Sequence, residues 1–322
     1  MRNFRRPFQQ FILTLIFICS FKSQAETPKV IYGNDDRYEV ENYHDRVYRE
    51  YAKSVAGKIA KFKLKTDPSN PNYFSFSSRS MENWNNLCPS ERFAKQNTLP
   101  NCTGFLIAPN LLVTAGHCVR SKFECKAAYW VFDYVAGTKK ISKENAFKCK
   151  KLVRRELHSS WFTLKDYAIV QLDRNVQSFR KPLPVKTKTK RSKIGTPLVV
   201  IGFPSGAPMK IADGAKVKAY NIFELLTPIR SMIRRAYYFN ANLDTFGGNS
   251  GSPIFNQNTN EVIGILIQGA KDYIRSPNGN NCSVVNNRSN SGFYSIEKAF
   301  RIHKIPRLNR IIKRYTRRSR RD

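Results

Sequence analysis

Between residues 50 and 300 the chain is written almost entirely in short β-branched and aromatic runs, each bounded by Gly, Pro, Asn or Asp. SVAGKIAKFKL, TGFLIAPNLLVTAG, AAYWVFDYVAG, DYAIVQL, TPLVVIGFP, AYYFNANL and EVIGILIQGA are all of strand length. Runs of this kind pack on pleated surfaces and turn at their polar ends, which constrains the fold to an all-β barrel or sandwich. Helical periodicity enters only late. SIEKAFRIHKI opens on Ser295 and places Ile296, Ala299, Phe300 and Ile302 on one face, so a terminal helix from about 295, interrupted before Pro306, is expected. Residues 66–100, rich in Asn, Ser and Pro, read as a long surface insertion, and the basic stretch 176–193 as a linker between two β units.

The length, 322 residues with 41% hydrophobic, suffices for one large or two small buried cores. The first 25 residues have the layout of an export signal: Arg2, Arg5 and Arg6, then the apolar run FILTLIFI, then Ser23-Gln24-Ala25 as a small-x-small cleavage site. The apolar run is too short to span a bilayer, which takes about 20 residues. The chain is therefore expected to be secreted across the cytoplasmic membrane, to an extracellular or periplasmic location. Seven cysteines less Cys19 of the signal leave six, which suits three disulfides in an oxidising compartment. No CxxC pair or Cys/His cluster is present, so no metal and no cofactor are expected.

Lys and Arg number 56 against 23 Asp and Glu, a net charge of +33. The excess is uneven: residues 180–193 carry seven basic residues and no acid, and residues 301–322 carry ten with Asp322 alone opposing them. Such a chain should associate with an anionic surface, lipid headgroups or acidic polysaccharide, unless the charge only solvates it. No nucleic-acid motif with interleaved aromatics accompanies the charge. A monomer is expected.

Three segments carry the residue types that amide hydrolysis by a serine requires: a base, a group to orient it, and donors for the oxyanion. His117 follows a strand in CTGFLIAPNLLVTAGHC, where a hairpin brings Cys102 and Cys118 together. Asp166 opens the strand DYAIVQL, and Ser250 follows Gly247-Gly248-Asn249 in LDTFGGNSGSPIF, whose glycines permit a tight turn.

With VTAGHC, DYAIVQL and GGNSGSPIF in that order, NEVIGI after the serine, and VIYGNDDR at 30–37, the chain resembles the chymotrypsin-like serine peptidases over roughly 30–300, and most nearly their bacterial glutamyl endopeptidase branch. That resemblance implies an all-β fold of two six-stranded antiparallel β-barrels with a C-terminal helix. It implies a signal peptide at 1–25, a short propeptide at 26–29, a first barrel with its N-terminal segment at 30–175, the basic linker at 176–193, a second barrel at 194–294, and a C-terminal helix and basic tail at 295–322. His117 is then the general base, Asp166 its orienting carboxylate and Ser250 the nucleophile, with Gly248 and Ser250 offering the oxyanion amides. His44, His158 and His303 are left structural. Cys102–Cys118 is the expected disulfide of the histidine hairpin. Cys125 with Cys149 lie in one hairpin-rich stretch, and Cys88 with Cys282 follow by elimination.

Glutamate-specific members place a histidine after the VIGI-like strand, where this chain has Leu266. Asp244 instead stands six residues before the serine, where trypsin-like members hold their pocket aspartate, and Gly269 and Gly292 fall at the wall positions. Asp244, Gly269 and Gly292 are therefore the expected substrate-binding residues, and Lys or Arg before the scissile bond the expected preference. A cut after Lys29 would expose the VIYGNDDR terminus, so self-activation of a zymogen is expected too. The expected function is a secreted serine endopeptidase acting on proteins or peptides through an acyl-enzyme. The alternatives are a catalytically inactive cationic binding protein on the same fold, or an active enzyme of non-basic specificity.

Overall fold

A computed structural model describes residues 31–159, 164–220, 236–269, 271–279, 281–288 and 297–319. The export signal, Lys29 and Gly292 lie outside the described residues. Six strands, β1 (Val55–Ala60), β2 (Cys102–Ala108), β3 (Leu111–Thr114), β4 (Ala128–Phe132), β5 (Ala146–Ser159) and β6 (Leu164–Leu172), close a first antiparallel barrel in the order β4-β5-β6-β3-β2-β1. The tight β2–β3 hairpin pairs Phe105 with Val113. The interior is packed by Phe105, Trp130, Phe132 and Phe147, each nearly or fully buried.

Six more strands, β7 (Pro197–Gly202), β8 (Lys210–Ala219), β9 (Tyr238–Ala241), β10 (Pro253–Asn256), β11 (Glu261–Gln268) and β12 (Glu297–Arg301), close a second barrel in the order β7-β10-β11-β12-β9-β8. The short strand Arg37–Glu39 adds to the outer edge of β8, so the N-terminal segment is tied to the second barrel. The chain thus has two six-stranded antiparallel barrels and a C-terminal helix. The short helices are α1 (Arg46–Ala52), α2 (Met81–Asn85) and α3 (Lys122–Lys126), and the terminal one is α4 (Leu308–Arg318).

Two segments differ from the sequence expectation. Residues Glu297–Arg301 form a strand rather than the start of a helix, because Phe300 pairs with Tyr238 on one side and Ile265 on the other. Closing the barrel satisfies both edges of that strand, and local helical periodicity yields to it. Helix α4 starts only past Pro306 and packs Leu308 and Tyr315 against the core. Residues 66–100 are not simply a surface insertion: Met81, Leu87, Ala94 and Leu99 are buried, and Cys88 forms a disulfide with Cys282. Residues 176–193 are stitched to both barrels, through Leu183 N–H to Leu106 O (2.9 Å) and Lys186 N–H to Val262 O (2.9 Å). Arg180 within that stretch is buried and forms an ion pair with Asp133.

Cys102–Cys118 and Cys125–Cys149 complete the three disulfides, an arrangement suited to an oxidising compartment. The Cys88–Cys282 bond has a sequence separation of 194, so it removes the most chain entropy from the unfolded state. Replacing both cysteines, Cys88→Ser with Cys282→Ser, should lower stability by up to about 5 kcal/mol in non-reducing denaturant unfolding, more than loss of either shorter loop.

Candidate functional site

His117 sits on a single 3₁₀ turn, Gly116–Cys118, that follows the end of β3. The turn presses against β5 and β6 so closely that a Cβ on Gly116 would lie 2.4 Å from Glu156 O and 3.0 Å from Asp166 Oδ1. A bare glycine at this point lets Asp166, almost wholly buried, reach residue 117 twice. The His117 amide donates to Asp166 Oδ1 at 2.9 Å, and Nδ1 lies 2.6 Å from Oδ2. A carboxylate on Nδ1 holds the ring proton there and leaves Nε2 as the acceptor. Arg155 Nε donates to Gly116 O at 2.9 Å and fixes the turn from its other side.

The serine loop belongs to the second barrel but is clamped to the first. Thr103, fully buried, donates its amide to Ser250 O (2.8 Å) and its hydroxyl to Gly248 O (2.8 Å). Gly251 has a φ of +91, and a Cβ there would lie 2.1 Å from Thr103 O and 2.3 Å from Thr114 Oγ1, so only glycine allows this approach. The amides of Gly248 and Ser250 donate to no group among the described residues, and neither does the Ser250 hydroxyl. No hydrogen bond between Ser250 and His117 is present among the described residues; the imidazole is bonded to Asp166 alone. The sulfurs of Cys102 and Cys118 and a His117 ring nitrogen lie within 4.8 Å of one another, and the two sulfurs are bonded together.

Asp244 lies under the loop, 4% exposed, and both its oxygens are taken by the N-terminal segment: Tyr32 N–H donates to Oδ1 (2.9 Å) and Asp36 N–H to Oδ2 (3.1 Å). The same segment runs parallel to Asn287–Arg288 and buries Arg37, which holds Asp35 and stacks 4.3 Å above the Phe246 ring. Gly269 packs against Glu297, where a Cβ would fall 2.4 Å from a carboxylate oxygen. Leu266 is buried in the core of the second barrel. The clamp at Thr103 and the partners of Asp244 were not legible in the sequence, since backbone amides do the donating and leave no mark on residue type.

The trypsin family model matches residues 90–288. A glutamyl endopeptidase from Bacillus licheniformis is 23% identical over 264 residues, covering 74% of this chain and 77% of its own. Two solved structures share the fold. The scabies mite inactivated protease paralogue S-D1 has a TM-score of 0.51 at 12% identity, covering 89% of this chain and 98% of its own. The Vibrio cholerae VesB protease has a TM-score of 0.52 at 14% identity, covering 89% and 68%. Fold and sequence likeness together support binding of proteins or peptides in general.

The expectation of an active, trypsin-like serine endopeptidase is corrected by this geometry. Ser250, His117 and Asp166 are all present, and the imidazole lies beside the Cys102–Cys118 disulfide, whose two sulfurs cluster with a His117 ring nitrogen. The serine hydroxyl has no base bonded to it among the described residues. Preference for Lys or Arg falls as well, because both oxygens of Asp244 are committed to backbone amides. Self-activation after Lys29 falls with the activity.

Burial pushes Asp244 up to about 7 against the pull of its two amide donors, with Asp36 and Asp35 adding to the rise. Its ordinary value is near 4, so the folded state keeps a proton that the unfolded chain releases in between. This stabilisation is complete below about pH 4 and is lost as pH rises through about 7. Asp244→Asn should therefore cost more in Tm at about pH 5 than at about pH 8 in thermal unfolding, whereas an equal cost at both would place the titration elsewhere.

Proposed function

From the premise that the chain belongs to the trypsin family, we propose that it is a catalytically inactive, cationic binding protein built on the peptidase fold, exported from the cell and held at an anionic surface. The observation that carries this is the Ser250 hydroxyl, which has no hydrogen bond to His117 among the described residues. A serine without a bonded base is a weak nucleophile at its ordinary pKa. The inactivated mite paralogue supports the proposal in one respect: the same fold stands in a protein described as having lost activity.

Charge supplies the binding half. Helix α4 is held to the first barrel by Leu308 and Tyr315, and Arg154 caps its approach by donating to Pro306 O at 2.6 Å. Its outer face carries Arg310, Lys313, Arg314, Arg317 and Arg318, all exposed, beside a groove of about 600 Å³. These positions recur at three- and four-residue spacing, so they share one side of the helix. Each exposed cation is screened beyond about 8 Å at physiological salt, so attraction requires many charges on the partner at close range. The open amides of Gly248 and Ser250 would donate to a carbonyl or carboxylate oxygen of a bound peptide. The export signal at 1–25 fits the three disulfides.

A fluorescent phosphonate probe applied to the mature protein should label it no more than Ser250→Ala. On an acidic polysaccharide resin, the triple change Arg310→Ala, Arg314→Ala and Arg317→Ala should elute at clearly lower salt than the parent. Labelling that disappears in Ser250→Ala would overturn the inactive assignment.

A further inference from the structure

Two phenylalanines stand out from the surface, Phe62 and Phe123, each 81% exposed. Both follow a lysine directly, in Lys61-Phe62-Lys63 and Lys122-Phe123. Their turns belong to one end of the first barrel. The Lys61 amide donates to Ala127 O, at the end of α3, at 3.0 Å, and the neighbouring Ala60 pairs with Ala128. Phe123 lies in α3, which the Cys125–Cys149 disulfide fastens to β5. The two rings are thus carried on short, cross-braced elements rather than on a free loop.

Cations surround them. Lys122 and Lys126 on α3 and Lys148, Lys150 and Lys151 on β5 are all exposed. A groove of about 520 Å³ runs between the two elements, lined by Lys122, Phe123, Lys126, Lys150, Lys151 and Leu152. The acid on α3, Glu124, is half-buried and accepts the Arg120 amide at 2.7 Å. Lys61 lies over the Tyr129 ring, 5.4 Å from its centroid.

We propose that this end of the first barrel is a docking face for an anionic phospholipid bilayer, with Phe62 and Phe123 entering the interface and the lysines of α3 and β5 holding headgroups. The inference rests on the cationic binding function and names the surface and the partner for it. A soluble acidic polysaccharide would satisfy the lysines but offers no apolar phase to two phenyl rings. A bilayer interface offers both, since apolar side chains enter at the headgroup boundary while lysines meet anionic lipid. Attachment would be peripheral, because no helix among the described residues is long and apolar enough to cross a membrane.

The full mature chain is sedimented with vesicles of equal parts phosphatidylserine and phosphatidylcholine, with vesicles of phosphatidylcholine alone, and run separately on an acidic polysaccharide resin. Phe62→Ser with Phe123→Ser, both at exposed positions, should keep the Tm and the resin elution. The same pair should reduce partitioning to the anionic vesicles by roughly tenfold or more. Lys122→Ala with Lys126→Ala should weaken vesicle binding most at low salt, the difference from the parent shrinking as salt is added. Unchanged vesicle binding by the phenylalanine pair, or retention on the resin with none on vesicles, would overturn the bilayer face and leave the cationic function standing. A parent chain that binds neither would overturn both.

Discussion

Thr103 joins the two halves of the site. Its amide and hydroxyl both donate across the barrel boundary to the serine loop, and the residue before it, Cys102, is bonded to the one after His117. One buried dipeptide therefore fixes the serine loop and the histidine turn relative to each other. The bare edges of Gly116 and Gly251 make the approach sterically possible, because a Cβ on either would collide with backbone or side-chain oxygen. Two hydrogen bonds buried from water in such a joint are costly to break, since the carbonyls of Gly248 and Ser250 would be left unsatisfied.

A second joint lies beneath the loop. The N-terminal segment donates two amides to Asp244 and stacks Arg37 on the Phe246 ring, so the stretch 243–246 is supported from a part of the chain more than two hundred residues away. In a peptidase with basic specificity this carboxylate would have to face the substrate. Here it is a structural acceptor, and its raised pKa reflects burial. The cations follow a different logic: Arg37 and Arg180 are buried in ion pairs, whereas those of α4, α3 and β5 face solvent where a polyanion or membrane can reach them.

Much of this was legible in the sequence. Short β-branched runs with turn residues at their ends pointed to an all-β fold, the resemblance carried by the histidine, aspartate and serine motifs implied the double barrel, and His117, Asp166 and Ser250 stood out by residue type and order. The strand Glu297–Arg301 was misread as helix because its apolar spacing fits either period, and only its two pairing partners decide between them. Segment 66–100 looked like surface because polar residues dominate it, yet a few apolar side chains and one disulfide draw it inward. The state of the triad was beyond sequence altogether. Residue type says that a serine and an imidazole are present, while the hydrogen bond that would make them a nucleophile and a base is a matter of geometry.

The central claim is that retained residue types here do not amount to hydrolysis. Its most direct measurement is long incubation of the mature chain with a diverse peptide library, read by mass spectrometry beside Ser250→Ala. No cleavage beyond that of the variant is expected at any residue type. A set of new termini produced by the parent and absent with Ser250→Ala would contradict it.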